Sequence, residues 1–191
     1  MSALMHESST GWDYLLQTWR ELDVPEGWRP ELTDEGIKMV PPPGGRHNMI
    51  ADVLHRTLLG SPPEGCGIFQ VLGVGVPTLS AILIPDVTVV HWDDVPEDAT
   101  PVPSEKIRLA AEITSASNAK DDRKKKKWCY AHGGVPLYLL IDPHDPDGSS
   151  VSLFSDPREG AYRHVITVPF GDPITLPEPF EVLLDTDRFP A

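Results

Sequence analysis

Apolar residues recur along this chain in short runs, and their spacing changes from one run to the next. Trp12, Leu15, Leu16, Trp19 and Leu22 fall at helical spacing, which predicts a short amphipathic helix over residues 12–22 that Pro25 ends. Residues 29–33 and 36–40 read as two strands around an Asp34-Glu35-Gly36 turn. A Pro-Pro-Pro-Gly-Gly loop follows at 41–45. Met49, Ile50, Val53, Leu54, Leu58 and Leu59 then predict a helix over 47–59, stopped by Gly60 and Pro62. Residues 68–76 and 79–90 are rich in Val, Ile and Leu and read as consecutive strands, with Pro85 marking a break, a bulge or an edge. Residues 93–103 are acidic and proline-rich and predict an exposed loop.

The second half is more regular. Residues 106–114 read as a strand, and Ser117-Asn118 as the cap of a helix over 119–132 that Gly133-Gly134 ends. Residues 135–141 form the most apolar strand candidate, and strands at 150–154 and 162–168 follow across an Asp-Pro-Arg-Glu-Gly turn. The tail, 173–191, is proline-rich with one apolar stretch at 180–184. This mixture predicts an α+β domain with an α/β core: a central mixed sheet flanked by helices, with an extra N-terminal hairpin and C-terminal strands. Strand 109–114, helix and strand 135–141 predict a βαβ crossover.

Length and composition narrow the classes. The 191 residues suffice for one domain with its own hydrophobic core. Two cysteines, Cys66 and Cys129, are too few for a disulfide framework. No apolar stretch approaches the ~20 residues of a membrane span, and residues 1–10 lack the pattern of a signal peptide. A cytosolic protein with no membrane partner is expected.

The net charge of −13 argues against a nucleic-acid partner, but the average conceals an island. Five of the seven lysines lie between Lys120 and Lys127, a window whose net charge is +4. On a helix, Asp122, Lys126 and Tyr130 share one face. Tyr130 and Cys129 should face the core, so Lys126 is the lysine expected to point inward. Lys124, Lys125 and Lys127 are expected to face solvent or a phosphate backbone. The four consecutive lysines leave Lys125 and Lys127 open as alternatives to Lys126. Two carboxylates also interrupt interior-looking runs: Asp86 between Ile82-Leu83-Ile84-Pro85 and Val87-Thr88-Val89-Val90, and Glu112 within Leu109-Ala110-Ala111-Glu112-Ile113. A carboxylate there is costly unless paired or bound to a cation. Each alone is explained by a buried ion pair or a strand end facing water. Together on neighbouring strands they suit a hard divalent ion. Two acids, a metal and a lysine are equipment for hydrolysing a phosphodiester.

These residues also carry a resemblance. Ile84-Pro85-Asp86-Val87, Glu112-Ile113-Thr114-Ser115-Ala116-Ser117, Asp122-Arg123 with Lys126 and Tyr130-Ala131, and Gly134-Val135-Pro136-Leu137-Tyr138 resemble the Uma-two family of restriction-endonuclease-like proteins. That family lies in the PD-(D/E)XK nuclease superfamily. Trp28-Arg29-Pro30-Glu31-Leu32, Gly36, Pro42-Pro43 and His47 resemble its first hairpin and first core helix, so the likeness runs from about Glu26 to Phe170. Ala116 stands where the family usually has proline, and Leu139 where it often has an aromatic. The resemblance implies a PD-(D/E)XK fold built on a four-stranded mixed sheet with added strands. It implies a nuclease-like domain over 26–170, with a helical extension at 1–25 and a packed tail at 171–191. It implies Asp86, Glu112 and the Ile113 carbonyl as ligands of Mg²⁺ or Mn²⁺, Lys126 as the catalytic lysine, and Glu31 as a further acid. His47, Arg123, Lys124 and Lys127 are the candidates for binding substrate. The implied function is metal-dependent cleavage of DNA; the alternative is a catalytically silent nuclease fold that binds nucleic acid or regulates. Superfamily relatives often form homodimers, for which the helix bearing Trp12 and Trp19 offers a surface, unless it packs on its own domain.

Overall fold

The computed structural model describes residues 2–116 and 119–190, with side chains from residue 11 onward. The predicted cap, Ser117-Asn118, lies outside the described residues. In chain order the elements are α1 (Ser2–Arg20), β1 (Arg29–Thr33), β2 (Gly36–Val40), α2 (Gly45–Leu59), β3 (Cys66–Phe69), β4 (Val74–Val76), β5 (Ala81–Leu83), β6 (Val87–His91), β7 (Val102–Pro103), β8 (Ile107–Ile113), α3 (119–132), β9 (Leu137–Asp142), β10 (Ser150–Arg158), β11 (Ala161–Pro169), β12 (Ile174–Leu176) and β13 (Val182–Leu184). No helix among the described residues is long and apolar enough to cross a membrane.

A six-stranded mixed sheet, ordered β11-β10-β9-β8-β6-β3, forms the centre. Its single parallel pair is β8 with β9, which are the two strands joined through α3, as the expected crossover requires. A second sheet, β2-β1-β5-β4-β7, lies apart, and β12 and β13 form a small hairpin.

Strand alternation divides the buried side chains between two layers. Leu109, Ala111 and Ile113 of β8, with Leu137, Leu139 and Ile141 of β9, pack on Ile50, Leu54 and Leu58 of α2. Ala110 and the intervening residues Tyr138 and Leu140 pack instead with Cys129 and Tyr130 of α3 and with Val74, Leu83 and Val102 of the second sheet. Glu112, one step from Ala111 and two from Ala110, therefore belongs to the α3 face.

Several sequence expectations are corrected. The run 68–76 is not one strand. It breaks after Phe69, and β3 joins the central sheet while β4 joins the second. The run 79–90 does break at Pro85, as one of the expected alternatives, and the break sends β5 and β6 to different sheets. The loop 93–103 ends in β7, where Val102 is buried and pairs parallel to β4. β10 and β11 are longer than expected, and the tail holds two paired strands whose Ile174, Leu176 and Leu184, with Phe180 from the turn between them, complete the α2 layer. At the other end, Trp19 donates its indole N–H to the Pro30 carbonyl at 2.7 Å. Trp12 lies over Gly75, where a Cβ would stand 3.2 Å from its ring. Both tryptophans of α1 thus pack on their own chain.

Candidate active site

α3 is not uniform. It begins as an α-turn over Ala119–Asp121, widens to a π-turn over Asp122–Lys126, and returns to α-helix over Lys127–His132. Such widened turns recur at functional sites. Here Asp122 and Lys126 are both buried, at 0 % and 6 % exposure. The Tyr138 hydroxyl donates to the Asp122 carbonyl at 2.8 Å and ties the turn to β9.

The Lys126 amine is surrounded by acids. It stands 2.8 Å from Glu31 Oε1, 3.1 Å from both Glu112 oxygens, and 3.4 Å from Asp122 Oδ1. The Tyr130 hydroxyl donates to Glu112 Oε1 at 2.7 Å, and the Ile84 N–H donates to Glu31 Oε1 at 3.0 Å. β1 supplies Glu31, β8 supplies Glu112 and α3 the other three, so elements from two sheets converge on one ammonium.

Asp86 adjoins this cluster. β6 and β8 pair Val87 with Ala111, so the register continued by one residue sets Asp86 opposite Glu112. Asp86 Oδ1 accepts from Arg29 Nη1 at 3.2 Å. Oδ2 accepts from the Ile113 N–H at 2.9 Å and stands 3.0 Å from His47 Nε2.

These neighbours set the charges. Burial opposes the charge on Lys126, but Glu112, Glu31 and Asp122 raise it well above its usual value, so it is an ammonium. Burial drives Glu112 well above the ordinary carboxylate range; Lys126 opposes this, and Asp122, Asp86 and Glu31 reinforce it. Burial likewise pushes Asp122 up to about 6 against the pull of Lys126. Burial also raises Asp86, but the His47 contact, the Ile113 N–H and Lys126 outweigh it and leave this carboxyl below its usual value.

The structure thus brings Glu31, Asp86, Glu112, Lys126 and His47 into one buried network, with the Ile113 N–H on Asp86. The other sequence candidates lie apart from it. Arg123 forks onto Asp142, 2.5 and 3.0 Å away, and donates to the His144 carbonyl. Lys127 stands 4.8 Å over the Phe154 ring, and Lys124 is exposed. Lys125 is not the free cation expected: it binds Asp34 and Glu35 in the β1–β2 turn at 2.9 and 3.0 Å. Sequence reasoning gave no role to Arg29, Tyr130 or Asp122. The shared helical face of Asp122, Lys126 and Tyr130 was the available signal for two of them.

The donor set is oxygen-rich and buried. Glu31, Asp86, Glu112 and Asp122 are each at most 6 % exposed, and neither Asp122 oxygen has a hydrogen-bond partner. Hard carboxylate oxygens in this density suit a hard divalent cation. Among the described residues no three His, Cys, Asp or Glu side chains are already spaced to ligate one ion; Lys126 holds three of the acids instead. A cavity of about 340 Å³, lined by Glu31, Thr33, Lys38, Asp121, Lys125 and Lys126 among others, opens onto the network.

Comparison with known proteins agrees with this architecture. A family model described as "Uma2: Putative restriction endonuclease" matches residues 15–187. Among solved structures, the chain is similar to "a putative nuclease belonging to DUF820" from Anabaena variabilis ATCC 29413. Identity is 19 %, covering 91 % of this chain and 96 % of that one, with a TM-score of 0.66. No curated protein matches.

Proposed function

The chain belongs to the Uma2 family of restriction-endonuclease-like proteins, and from that premise we propose that it is an endonuclease hydrolysing phosphodiester bonds of DNA at the Lys126 network. The observation that supports this most is the buried Lys126 amine within 2.8 to 3.4 Å of three carboxylates, with Asp86 opposite Glu112.

A divalent cation, Mg²⁺ or Mn²⁺, would be held by Asp86 and Glu112 with the Ile113 carbonyl. When bound, it would polarise a phosphoryl oxygen and lower the pKa of a water. The chain's own residues do the rest. Lys126, held as an ammonium, cannot take a proton. It donates hydrogen bonds and offsets negative charge developing on the phosphate. Glu31 fixes the amine in place, and Tyr130 fixes the Glu112 carboxylate. Arg29 and His47 orient Asp86, and His47 with the Ile113 N–H keeps it ionised. Lys38 and Lys125 line the approach, and the exposed Lys124, with Lys127, offers charge to the DNA backbone.

The test is cleavage of supercoiled plasmid with Mg²⁺ or Mn²⁺ by wild type, Asp86→Asn and Lys126→Met. Cutting by wild type alone, falling at least ~100-fold in both variants, is the expected result. DNA binding with no cutting by wild type under any cation would instead favour the catalytically silent alternative.

A further inference from the structure

Four acids surround one lysine, but they are not equally satisfied. Glu31 accepts from the Ile84 N–H. Glu112 accepts from Tyr130 and Lys126. Asp86 accepts from Arg29 and the Ile113 N–H and contacts His47. Asp122 is fully buried at 0 % exposure, and neither of its oxygens accepts a hydrogen bond from any described residue. Its cationic neighbour among the described residues is the Lys126 amine at 3.4 Å, too long and too shared to satisfy a buried carboxylate.

The side chain is nevertheless held on target. The π-turn Asp122–Lys126 buries both residues, and the Tyr138 hydroxyl fixes the Asp122 main chain at 2.8 Å. Asp122 and Glu112 contact the same amine, at 3.4 and 3.1 Å. Both carboxylates thus border one amine, and a short shift of the Asp122 side chain would let it share an ion with Glu112 and Asp86, which are not already spaced to ligate one with it. A carboxylate without donors in this position retains its lone pairs for such an ion.

We infer that Asp122 is a carboxylate ligand of the divalent-cation site, joining Asp86 and Glu112 when the ion binds. The inference rests on the metal-dependent reading above and adds to it a donor carried by the helix, on the same turn as the lysine. With the ion bound, Asp86, Glu112 and Asp122 would hold it, and Lys126 would keep its contact with Glu31 while offsetting charge on the substrate phosphate.

The test measures Mn²⁺ affinity by titration calorimetry at fixed pH, with no DNA present. Asp122→Asn is compared with wild type, Asp86→Asn and Asp121→Asn. Asp121 lies on the adjacent turn with its side chain 40 % exposed, so its variant reports the loss of one charge without loss of a ligand. Asp122→Asn should weaken Mn²⁺ by about tenfold or more, as Asp86→Asn does, while Asp121→Asn changes little. Asp122→Ala serves if the amide disturbs the fold, and circular dichroism confirms that each variant is folded. If Asp86→Asn weakens Mn²⁺ and neither Asp122 variant does, Asp122 is only a buried structural acid and the inference fails while the nuclease reading stands. If wild type binds no Mn²⁺, both fail.

Discussion

Asp122 illustrates what burial does to one side chain. Its carboxyl is pushed up to about 6 from an ordinary 3.8 because charge is disfavoured where nothing donates to it. A raised carboxyl binds its proton more tightly in the folded state. Stability is therefore highest below the unfolded value and is lost as pH rises through about 6. In cation-free protein, wild type should fall behind Asp122→Asn by up to about 3 kcal/mol between pH 4 and pH 7, and the two should converge near pH 4. Urea titrations in EDTA at both pH values check this. Equal pH dependence in the two proteins would show that Asp122 is not the strained group. The sequence exposed part of this site. Acids inside apolar runs marked Asp86 and Glu112, and helical spacing marked Lys126. Nothing local marked Arg29, whose role depends on a hairpin meeting a strand 57 positions away. Nor did anything show that Lys125 is spent on Asp34 and Glu35, since that pairing depends on how α3 lies against the β1–β2 turn.

At the scale of elements, the legible features were those set by local rules. The Asp34-Glu35-Gly36 turn set β1 and β2 at their observed bounds, and Gly133-Gly134 correctly ended α3. Illegible features came from pairing between distant segments. Apolar content is the same whether a strand joins one sheet or another, so the division of β3 from β4 could not be read from composition; Pro85 marked a break before β6, but not that β5 lies in the second sheet. The hairpin of β12 and β13 was hidden for a related reason: its apolar residues are few, and they are buried in a cluster shared with α2 and the central sheet. The end of α3 gives the clearest prediction at this scale. The Gly134 N–H donates to the Ala131 carbonyl and the Val135 N–H to the Tyr130 carbonyl, with Gly134 at φ +73°. That is a Schellman ending, which needs a left-handed residue. A Cβ at Gly134 meets nothing within 4 Å, so the substitution costs only backbone strain. Gly134→Ala should lower stability by about 1 kcal/mol and leave Lys126 in place, so the melting temperature falls while cleavage below it is kept. A loss of cleavage without a loss of stability would mean that this ending also steers the π-turn.

Across the whole molecule, the basic island is largely consumed inside the fold. Of the +4 window from Lys120 to Lys127, Lys126 faces acids and Lys125 is paired with the turn. Arg123 is clamped to Asp142. Lys120 and Lys124 remain exposed, and Lys127 is partly so. The chain as a whole carries −13. A helix that looks in sequence like a cationic DNA-binding face therefore offers only two or three charges to a phosphate backbone. Counterion release scales with the phosphates neutralised, so the slope of log affinity against log salt should be only about −2 to −3. The measurement is fluorescence anisotropy of a labelled duplex with Asp86→Asn, which cannot turn over, across a salt series in EDTA. Reversing Lys124 to Glu should weaken binding at low salt and bring the slope nearer zero by about 1 to 2. A slope steeper than about −5 would require a basic surface elsewhere, and the binding face would then have to be sought away from α3.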